Sequence, residues 1–217
     1  MKKTIYISLF VLLLFSCGKK EEEINEDIQL DLAYEEDFTS GLHATINPNK
    51  WTGEVFTDTG LTVNIVGRPP RGSGGLISMS FLETPANDTY GASITFRFLP
   101  NSGTGTFGLI MTRDIHNNEG GTTIAVSRAG YAALFDARGE TNELTRLGSR
   151  GLYYVGHLMD ADEDITLFIG INGQYAGYYV NGHKIFEQSS FSPVGRYCGF
   201  YMYPNVGVNV KNFSTYD

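Results

Sequence analysis

Two Asn-Gly pairs close together, Asn172-Gly173 and Asn181-Gly182, constrain the fold more than any other feature of this sequence. Asn-Gly favours a two-residue hairpin loop, because both central residues of such a turn adopt positive φ. With both pairs as loops, segment 164–187 becomes a three-stranded meander in which Ile169 lies opposite Ala176 and Leu167 opposite Tyr178. This part of the chain is therefore predicted to be antiparallel sheet.

The two faces of this meander differ in character, since alternate residues of a strand point to opposite sides. One face is apolar and is predicted to be core: Ile165, Leu167, Ile169, Ile171, Ala176, Tyr178, Val180 and Ile185. The other mixes aromatic, small and polar residues: Thr166, Phe168, Gly170, Tyr175, Gly177, Tyr179, Lys184 and Phe186. The mixed face can meet solvent, a covering loop or a ligand.

Apolar residues alternate with polar ones in several further segments, which predicts half-buried strands. These segments are 61–65, 77–81, 94–98, 107–111, 124–126 and 206–210. Beyond residue 17 no stretch shows the 3.6-residue apolar period of an amphipathic helix, and turn residues recur about every 8 to 12 positions. Many short strands at that spacing predict an all-β sandwich or barrel.

The first 17 residues have the layout of an export signal. Lys2 and Lys3 precede an apolar run from Ile5 to Phe15, and the run ends in Leu-Phe-Ser before Cys17. This ending resembles the bacterial lipobox, in which the cysteine is lipidated after cleavage. The apolar run is too short to span a bilayer, which takes about 20 residues. We therefore expect residues 1–16 to be a signal peptide and Cys17 to carry a lipid; a plain signal peptide is the alternative.

Residues 17–31 follow as a charged segment that includes Lys19-Lys20 and Glu21-Glu22-Glu23. It has too few apolar groups to form a core, so we expect a flexible tether between the membrane and a domain at 32–217. Such a charged segment beside the cysteine is similar to the export signals of surface lipoproteins in Bacteroidetes-type bacteria. The expected location is the cell surface side of the outer membrane, with a periplasm-facing lipoprotein as the alternative.

Several segments together resemble a known family of folds: 165–173 and 178–187, the glycine-bearing 199–202, the closing 208–217, and the opening 34–42 with 47–51. They are similar to concanavalin A-like or laminin-G-like jelly rolls, including the 3-keto-disaccharide hydrolase-like group. The resemblance implies a two-sheet antiparallel sandwich of about six strands per sheet with the N- and C-terminal strands adjacent. Members often bind glycans on a sheet face or at its rim, and some hydrolyse them.

Most catalytic and metal-binding patterns are absent from the sequence. It has no Glu-x-Asp-x-x-Glu strand of the laminarinase type, no G-x-S-x-G elbow, no H-E-x-x-H and no C-x-x-C pair. An acidic cluster at Asp160, Asp162, Glu163 and Asp164 is predicted to be a solvated turn, with structural calcium as the alternative. A net charge of −8 disfavours nucleic acid as a partner. No cofactor is expected, and the missing catalytic patterns disfavour an enzyme without excluding one.

Sugar recognition needs flat aromatic rings together with hydrogen-bonding side chains. Residues of these types at non-core strand positions or strand ends are the predicted ligand-binding set: Arg97, Arg113, Asp136, Arg138, Tyr179 and Tyr201. Tyr203 shares the phase of Tyr201. For each tyrosine the alternative is ordinary sheet packing, and for each arginine a surface ion pair.

The sequence thus leads to a lipid-anchored, surface-exposed jelly roll that binds extracellular glycan without catalysis. Two alternatives stay open at this point. One is a glycoside-cleaving enzyme of the 3-keto-disaccharide hydrolase type, and the other is a structural or adhesive module that binds protein.

Overall fold

A computed structural model describes residues 30–39, 54–57, 60–65, 82–83, 88–112, 121–137, 144–147, 152–189, 197–203 and 205–217. Fifteen strands are present in them: β1 (Leu32–Asp37), β2 (Glu54–Thr57), β3 (Gly60–Ile65), β4 (Leu82–Glu83), β5 (Thr89–Phe98), β6 (Thr106–Thr112), β7 (Thr122–Ser127), β8 (Tyr131–Ala137), β9 (Leu144–Arg146), β10 (Leu152–Tyr154), β11 (Ile165–Asn172), β12 (Tyr175–Val180), β13 (His183–Gln188), β14 (Tyr197–Met202) and β15 (Val206–Tyr216). Within these ranges no helix has the length and apolarity to cross a membrane.

The strands form two antiparallel sheets. One has eight strands in the order β13-β12-β11-β5-β15-β3-β2, with β1 also paired to β15. The other has seven in the order β10-β8-β7-β6-β14-β4, with β9 also paired to β8. This is the two-sheet jelly-roll sandwich that the sequence predicts, with more strands per sheet than the expected six. The adjacency of the first and last strands is confirmed by the pairing of β1 with β15.

The core lies between the two sheets and is built from the alternating apolar positions. Ile94, Phe96, Leu109, Ile124 and Val208 are all buried in it, as period-two patterning predicts. The alternating segment 77–81 lies outside the described residues. Aromatic rings fill much of the centre, with the Phe96 and Phe107 centroids 4.6 Å apart in an edge-to-face arrangement.

The predicted meander is present as β11, β12 and β13, and its second turn is as predicted. Asn181 and Gly182 have φ values of 48° and 80°, and Val180 pairs with His183 across the loop. The predicted core face is confirmed, since seven of its eight residues are buried and Ile185 packs partly buried against them. Glycine and asparagine are the residues that adopt these φ values at low cost, so the turn follows directly from the sequence.

The register at the first turn was predicted wrongly. Ile169 pairs with Tyr178, and Asn172 pairs with Tyr175, so the loop is Gly173-Gln174. Strand β5 explains the difference, because Asn172 continues the ladder opposite Thr89 and the Gly173 N–H donates to the Asp88 carbonyl at 2.9 Å. The shift moves β12 by two residues, so every side chain of β12 keeps its predicted face.

One side chain of the meander lies on the opposite face from its prediction. A bulge in the β12–β13 pairing places Phe186 opposite Tyr178 and Lys184 opposite Tyr179. Because a bulge adds one residue, it reverses the alternation beyond it. The Phe186 ring therefore packs inward, with its centroid 5.9 Å from that of Tyr178 and 5.6 Å from that of Tyr153.

Candidate functional site

A pocket of about 240 Å³ opens on the outer face of the eight-stranded sheet. The face belongs to the mixed, non-core side of the meander and its neighbours β5 and β15. The described residues that line the pocket combine three aromatic rings with small, polar and aliphatic side chains: Leu30, Ser93, Thr166, Phe168, Tyr179, Gly182 and Tyr216.

Strand register brings the central lining residues together. Ser93 on β5 lies opposite Phe168 on β11, and Phe168 lies opposite Tyr179 on β12. Neighbouring strands are about 4.8 Å apart, so these three positions form one continuous row across the sheet. Tyr216 joins from β15, where it pairs with Gly91. Period-two alternation places all of them opposite the core.

Phe168 is the centre of the aromatic part of the site. Its ring centroid lies 5.4 Å from that of Tyr179 and 5.5 Å from that of Tyr216, the latter at 88°. Two glycines make room for the rings. A Cβ on Gly91 would come within 2.8 Å of the Phe168 ring, and one on Gly177 within 2.8 Å of the Tyr179 ring. The rings of Phe168 and Tyr179 therefore pack directly on the backbone of these glycines, which fixes their orientation.

Hydroxyl groups supply the polar part of the pocket. Ser93 Oγ and the Tyr216 hydroxyl are 3.1 Å apart, and Thr166 Oγ1 is 2.9 Å from Thr95 Oγ1. The Asn181 side chain holds this end of the site, because its Oδ1 accepts from the Thr166 N–H at 2.7 Å and its Nδ2 donates to the Leu158 carbonyl at 2.9 Å. Each hydroxyl can both donate and accept, so the pocket can match groups of either kind.

Ion pairs flank the same sheet face. Arg97, a predicted ligand-binding residue, is exposed and its Nε donates to Asp164 Oδ1 at 2.9 Å, two residues before Thr166. On β13, Lys184 Nζ lies 3.0 Å from Glu187 Oε2. Both pairs are solvent-exposed, so each contributes on the order of 0 to 1 kcal/mol to stability. Arg97 thus lies near the pocket, but an acidic partner already occupies its guanidinium.

Tyr179 is the predicted site residue that the structure brings into the pocket itself. It is 3% exposed, with its ring against Phe168. The sequence placed Phe168 on the correct face without nominating it as a ligand-binding residue, and Ser93 and Tyr216 were missed. Alternation identifies the outward face of each strand, but the pairing of β5 with both β11 and β15 is not visible in the local sequence.

Tyr201 lies on the outer face of the other sheet. It is 3% exposed and forms a small cluster with Ile110, Ala125 and Phe135. Burial, and then the nearby Tyr203 phenol, raise the pKa of Tyr201 to about 12. Tyr203 itself is half exposed. The structure therefore separates Tyr201 from Tyr179 by the full thickness of the sandwich.

The same outer face of the seven-stranded sheet carries exposed aromatic rings at its β8–β10 edge. Tyr131 and Tyr154 pair in register, with ring centroids 5.4 Å apart, and the Tyr154 ring lies 6.2 Å from that of His157. Unlike the pocket rings, these stand well out into solvent, with Tyr154 at 61% exposure. Three aromatic side chains thus form a second surface that could meet a ligand.

Asp136 points into the sandwich. Its Oδ2 accepts from Gln188 Nε2 at 3.1 Å, Gln188 Oε1 accepts from the Tyr178 hydroxyl at 3.2 Å, and that hydroxyl lies 2.6 Å from Thr122 Oγ1. All four residues are buried. The sequence carries the signal for this placement, because Asp136 is in phase with the buried Ala132 and Leu134. Its carboxylate is part of a hydrogen-bonded link between the sheets.

The acidic loop before β11 is a turn whose carboxylates form one hydrogen bond within the loop and two ion pairs with arginines outside it. Asp160 Oδ1 accepts from the Asp162 N–H at 2.9 Å, Asp162 pairs with Arg128, and Asp164 pairs with Arg97. Across the described ranges no three His, Cys, Asp or Glu side chains are grouped as a metal site requires. Arg113, Arg138 and Cys17 lie outside the described residues.

Comparison with known proteins identifies the fold. No family model matches the chain, and no curated protein matches it. Among solved structures, it is similar to the carbohydrate-binding module CBM66 from Bacillus subtilis, with a TM-score of 0.53 and 12% identity over 88% of this chain and 99% of that one. It is also similar to the Emp46p carbohydrate recognition domain in its potassium-bound form, with a TM-score of 0.56 and 11% identity over 87% and 99%.

A third similar structure is the GH43 protein BlXynB from Bacillus licheniformis, with a TM-score of 0.58 and 10% identity. Here 87% of this chain matches 40% of that one, so the chain spans less than half of BlXynB. At these identities the likeness concerns the fold alone. The chain has a concanavalin A-like β-sandwich.

Proposed function

We propose that this chain is a carbohydrate-binding domain that holds extracellular glycan in the pocket between Phe168, Tyr179 and Tyr216, without catalysis. The observation that carries the proposal is the composition of that pocket. A sugar ring presents apolar C–H patches and a rim of hydroxyls. The pocket offers the partly exposed rings of Phe168 and Tyr216, with Tyr179 packed beside them, next to the hydroxyls of Ser93 and Thr166, which is the complementary chemistry.

The size of the pocket favours one sugar residue over a longer segment. Pockets for drug-sized ligands begin at about 300 Å³, and this one measures about 240 Å³. A single pyranose or furanose ring is smaller than such ligands. Neighbouring residues of a polysaccharide would extend out of the pocket across the sheet face, where the Arg97–Asp164 pair lies at the surface.

The similar structures support binding over catalysis. The chain matches the CBM66 module and the Emp46p carbohydrate recognition domain over nearly their whole lengths, and both are described as carbohydrate-binding units. It matches the GH43 protein BlXynB over 40% of that protein's length. Fold similarity alone does not assign a ligand, so the pocket chemistry remains the main argument.

We further propose that the domain is lipid-anchored through Cys17 and displayed on the cell surface. The support is the signal-like sequence before Cys17 and the charged segment 17–31 after it. Near its end this segment contains Leu30, which lines the pocket. Leu30 follows Cys17 by thirteen residues, and an extended chain of that length reaches about 45 Å. Metabolic labelling with a palmitate analogue should mark the wild-type protein and not Cys17→Ser. Labelling of both would contradict the anchor, and resistance to protease added to intact cells would contradict surface display.

A glycan array probed with the full-length protein in detergent tests carbohydrate binding. We expect binding to a set of glycans that Tyr179→Ala reduces by about tenfold or more. Tyr175→Ala is the matched control, because Tyr175 lies on the same strand and face, is 53% exposed and does not line the pocket. Thr166→Val keeps the side-chain shape while removing one hydroxyl, and a circular dichroism spectrum and Tm close to wild type would show that a loss of affinity there is not due to unfolding. Absence of binding to every glycan, or binding unchanged in both Tyr179→Ala and Thr166→Val, would contradict the proposal.

A further inference from the structure

We infer that the pocket selects a neutral sugar residue and discriminates against the same residue carrying a carboxylate or sulfate. This inference rests on the proposed function and names the ligand class of the same site. Three observations carry it: the uncharged lining, the engagement of the cations on this sheet face, and the acidic residues at the pocket edge.

The first observation concerns the lining itself. The side chains that line the pocket in the described part of the chain are aromatic, aliphatic or hydroxylic, apart from Gly182. An anionic group that enters loses water and meets ring faces, whose π clouds are negative. Hydroxyls replace part of that hydration but supply no opposite charge. A neutral hydroxyl in the same place exchanges hydrogen bonds with Ser93, Thr166 or Tyr216 at little cost.

The second observation concerns the cations nearby. On β5, β11, β12 and β15, which supply most of the lining, the basic residues are Lys211, five residues before Tyr216 along β15, and Arg97. Its Nε is held by Asp164 at 2.9 Å. Lys184, opposite Tyr179 on β13, is held by Glu187 at 3.0 Å. Because each cation already has a carboxylate beside it, the net charge that an anionic ligand meets at either pair is close to zero, so the ligand gains little net attraction.

The third observation concerns the pocket edge. Leu30 and Tyr216 line the pocket, and the residues after them in the chain are Asp31 and Asp217. The backbones of these two aspartates are joined by hydrogen bonds of 2.9 and 3.0 Å, and both residues are exposed. Two exposed carboxylates therefore belong to the residues next to Leu30 and Tyr216, although alternation turns their side chains to the face opposite these lining residues. Their repulsion acts on an anionic sugar within about one Debye length, roughly 8 Å at physiological salt.

The test uses matched polysaccharides that differ only in charge. Mannan, galactan, fructan and β-1,3-glucan are compared with the same polymers after oxidation of their primary hydroxyls to carboxylates. A third form, in which those carboxylates are converted to carboxamides, is neutral again and controls for the lost hydroxyl. Binding of the full-length protein in detergent is measured at pH 8.

We expect oxidation to lower affinity by about tenfold or more for each polymer that binds, and amidation to restore most of it. Part of the loss should persist at 0.5 M NaCl, because screening removes the edge repulsion but not the desolvation of the anion. Leu30→Lys, which adds a cation at the pocket, should reduce the difference in affinity between the neutral and the oxidised polymers. Equal binding of oxidised and neutral forms, or preference for the oxidised form, overturns this inference and leaves the proposed function standing. Binding to no polymer of any form overturns the proposed function as well.

Discussion

The buried hydroxyl of Tyr178 offers the sharpest test of how the sandwich is held together. Thr122 and Asp136 are register partners in the seven-stranded sheet, and Tyr178 and Gln188 belong to the eight-stranded sheet. The Tyr178 hydroxyl donates to Gln188 Oε1 at 3.2 Å and lies 2.6 Å from Thr122 Oγ1, a contact in which either hydroxyl can be the donor. With the Gln188–Asp136 bond at 3.1 Å, the four residues close a ring of contacts across the core.

Tyr178→Phe removes two of these hydrogen bonds and leaves the ring in place. Each buried hydrogen bond contributes about 0.5 to 1.5 kcal/mol net, so the variant should lose about 1 to 3 kcal/mol of unfolding free energy. For a domain of this size, 1 kcal/mol corresponds to a change in Tm of about 2 to 4 °C. A loss of 2 kcal/mol therefore predicts a Tm lower by about 4 to 8 °C. Urea unfolding followed by circular dichroism gives the free energy, and a thermal scan gives Tm.

Tyr175→Phe is the matched control, because it removes a hydroxyl from the same strand at an exposed position. It should change the unfolding free energy by less than about 0.5 kcal/mol. Thr122→Val completes a double-mutant cycle with Tyr178→Phe, and we expect a coupling energy of about 0.5 kcal/mol or more. If Tyr178→Phe is as stable as Tyr175→Phe, or if the coupling energy is zero, the cross-core link does not exist as described.

Three further predictions concern single residues. Gly91→Ala places a methyl group within 2.8 Å of the Phe168 ring and 2.9 Å of a backbone carbonyl, so it should lower both stability and glycan affinity; unchanged affinity in a folded variant would contradict the pocket geometry. Because burial raises the pKa of Tyr201 to about 12, its unionised form contributes stability that is complete below pH 10 and declines between pH 10 and about 12. Alkaline unfolding of Tyr201→Phe should show a shallower pH dependence than wild type, and identical curves would exclude this contribution. Burial also raises the pKa of the Cys198 thiol, so in a Cys17→Ser background it should react with a thiol reagent only after unfolding; rapid labelling of the native protein would show that the core is open there.

The sequence predicts the architecture because its signals are local. Alternation along one strand distinguishes Leu167 from Phe168, and Asn-Gly chemistry predicts the turn at Asn181 without knowledge of the rest of the fold. Phe186 was misplaced because a bulge reverses the alternation beyond it, and no residue type marks that bulge in this sequence.

The pocket could be predicted only in part, because its walls come from distant parts of the chain. Thr95 and Thr166 are 71 residues apart in sequence, and Ser93 and Tyr216 are 123 apart. Such contacts depend on which strands become neighbours, which a single sequence does not state. Asp136 is a different case: it was predicted as a ligand-binding residue, but its phase with the buried Ala132 and Leu134 is a local signal for an inward carboxylate.

A crystal of the protein soaked with mixed neutral oligosaccharides would show directly where on the sandwich a sugar binds. We expect density for a sugar ring in contact with Phe168, Tyr179 and Tyr216, within hydrogen-bond distance of Ser93 or Thr166. Sugar bound instead against Tyr131 and Tyr154 on the opposite sheet, with this pocket empty, would contradict it.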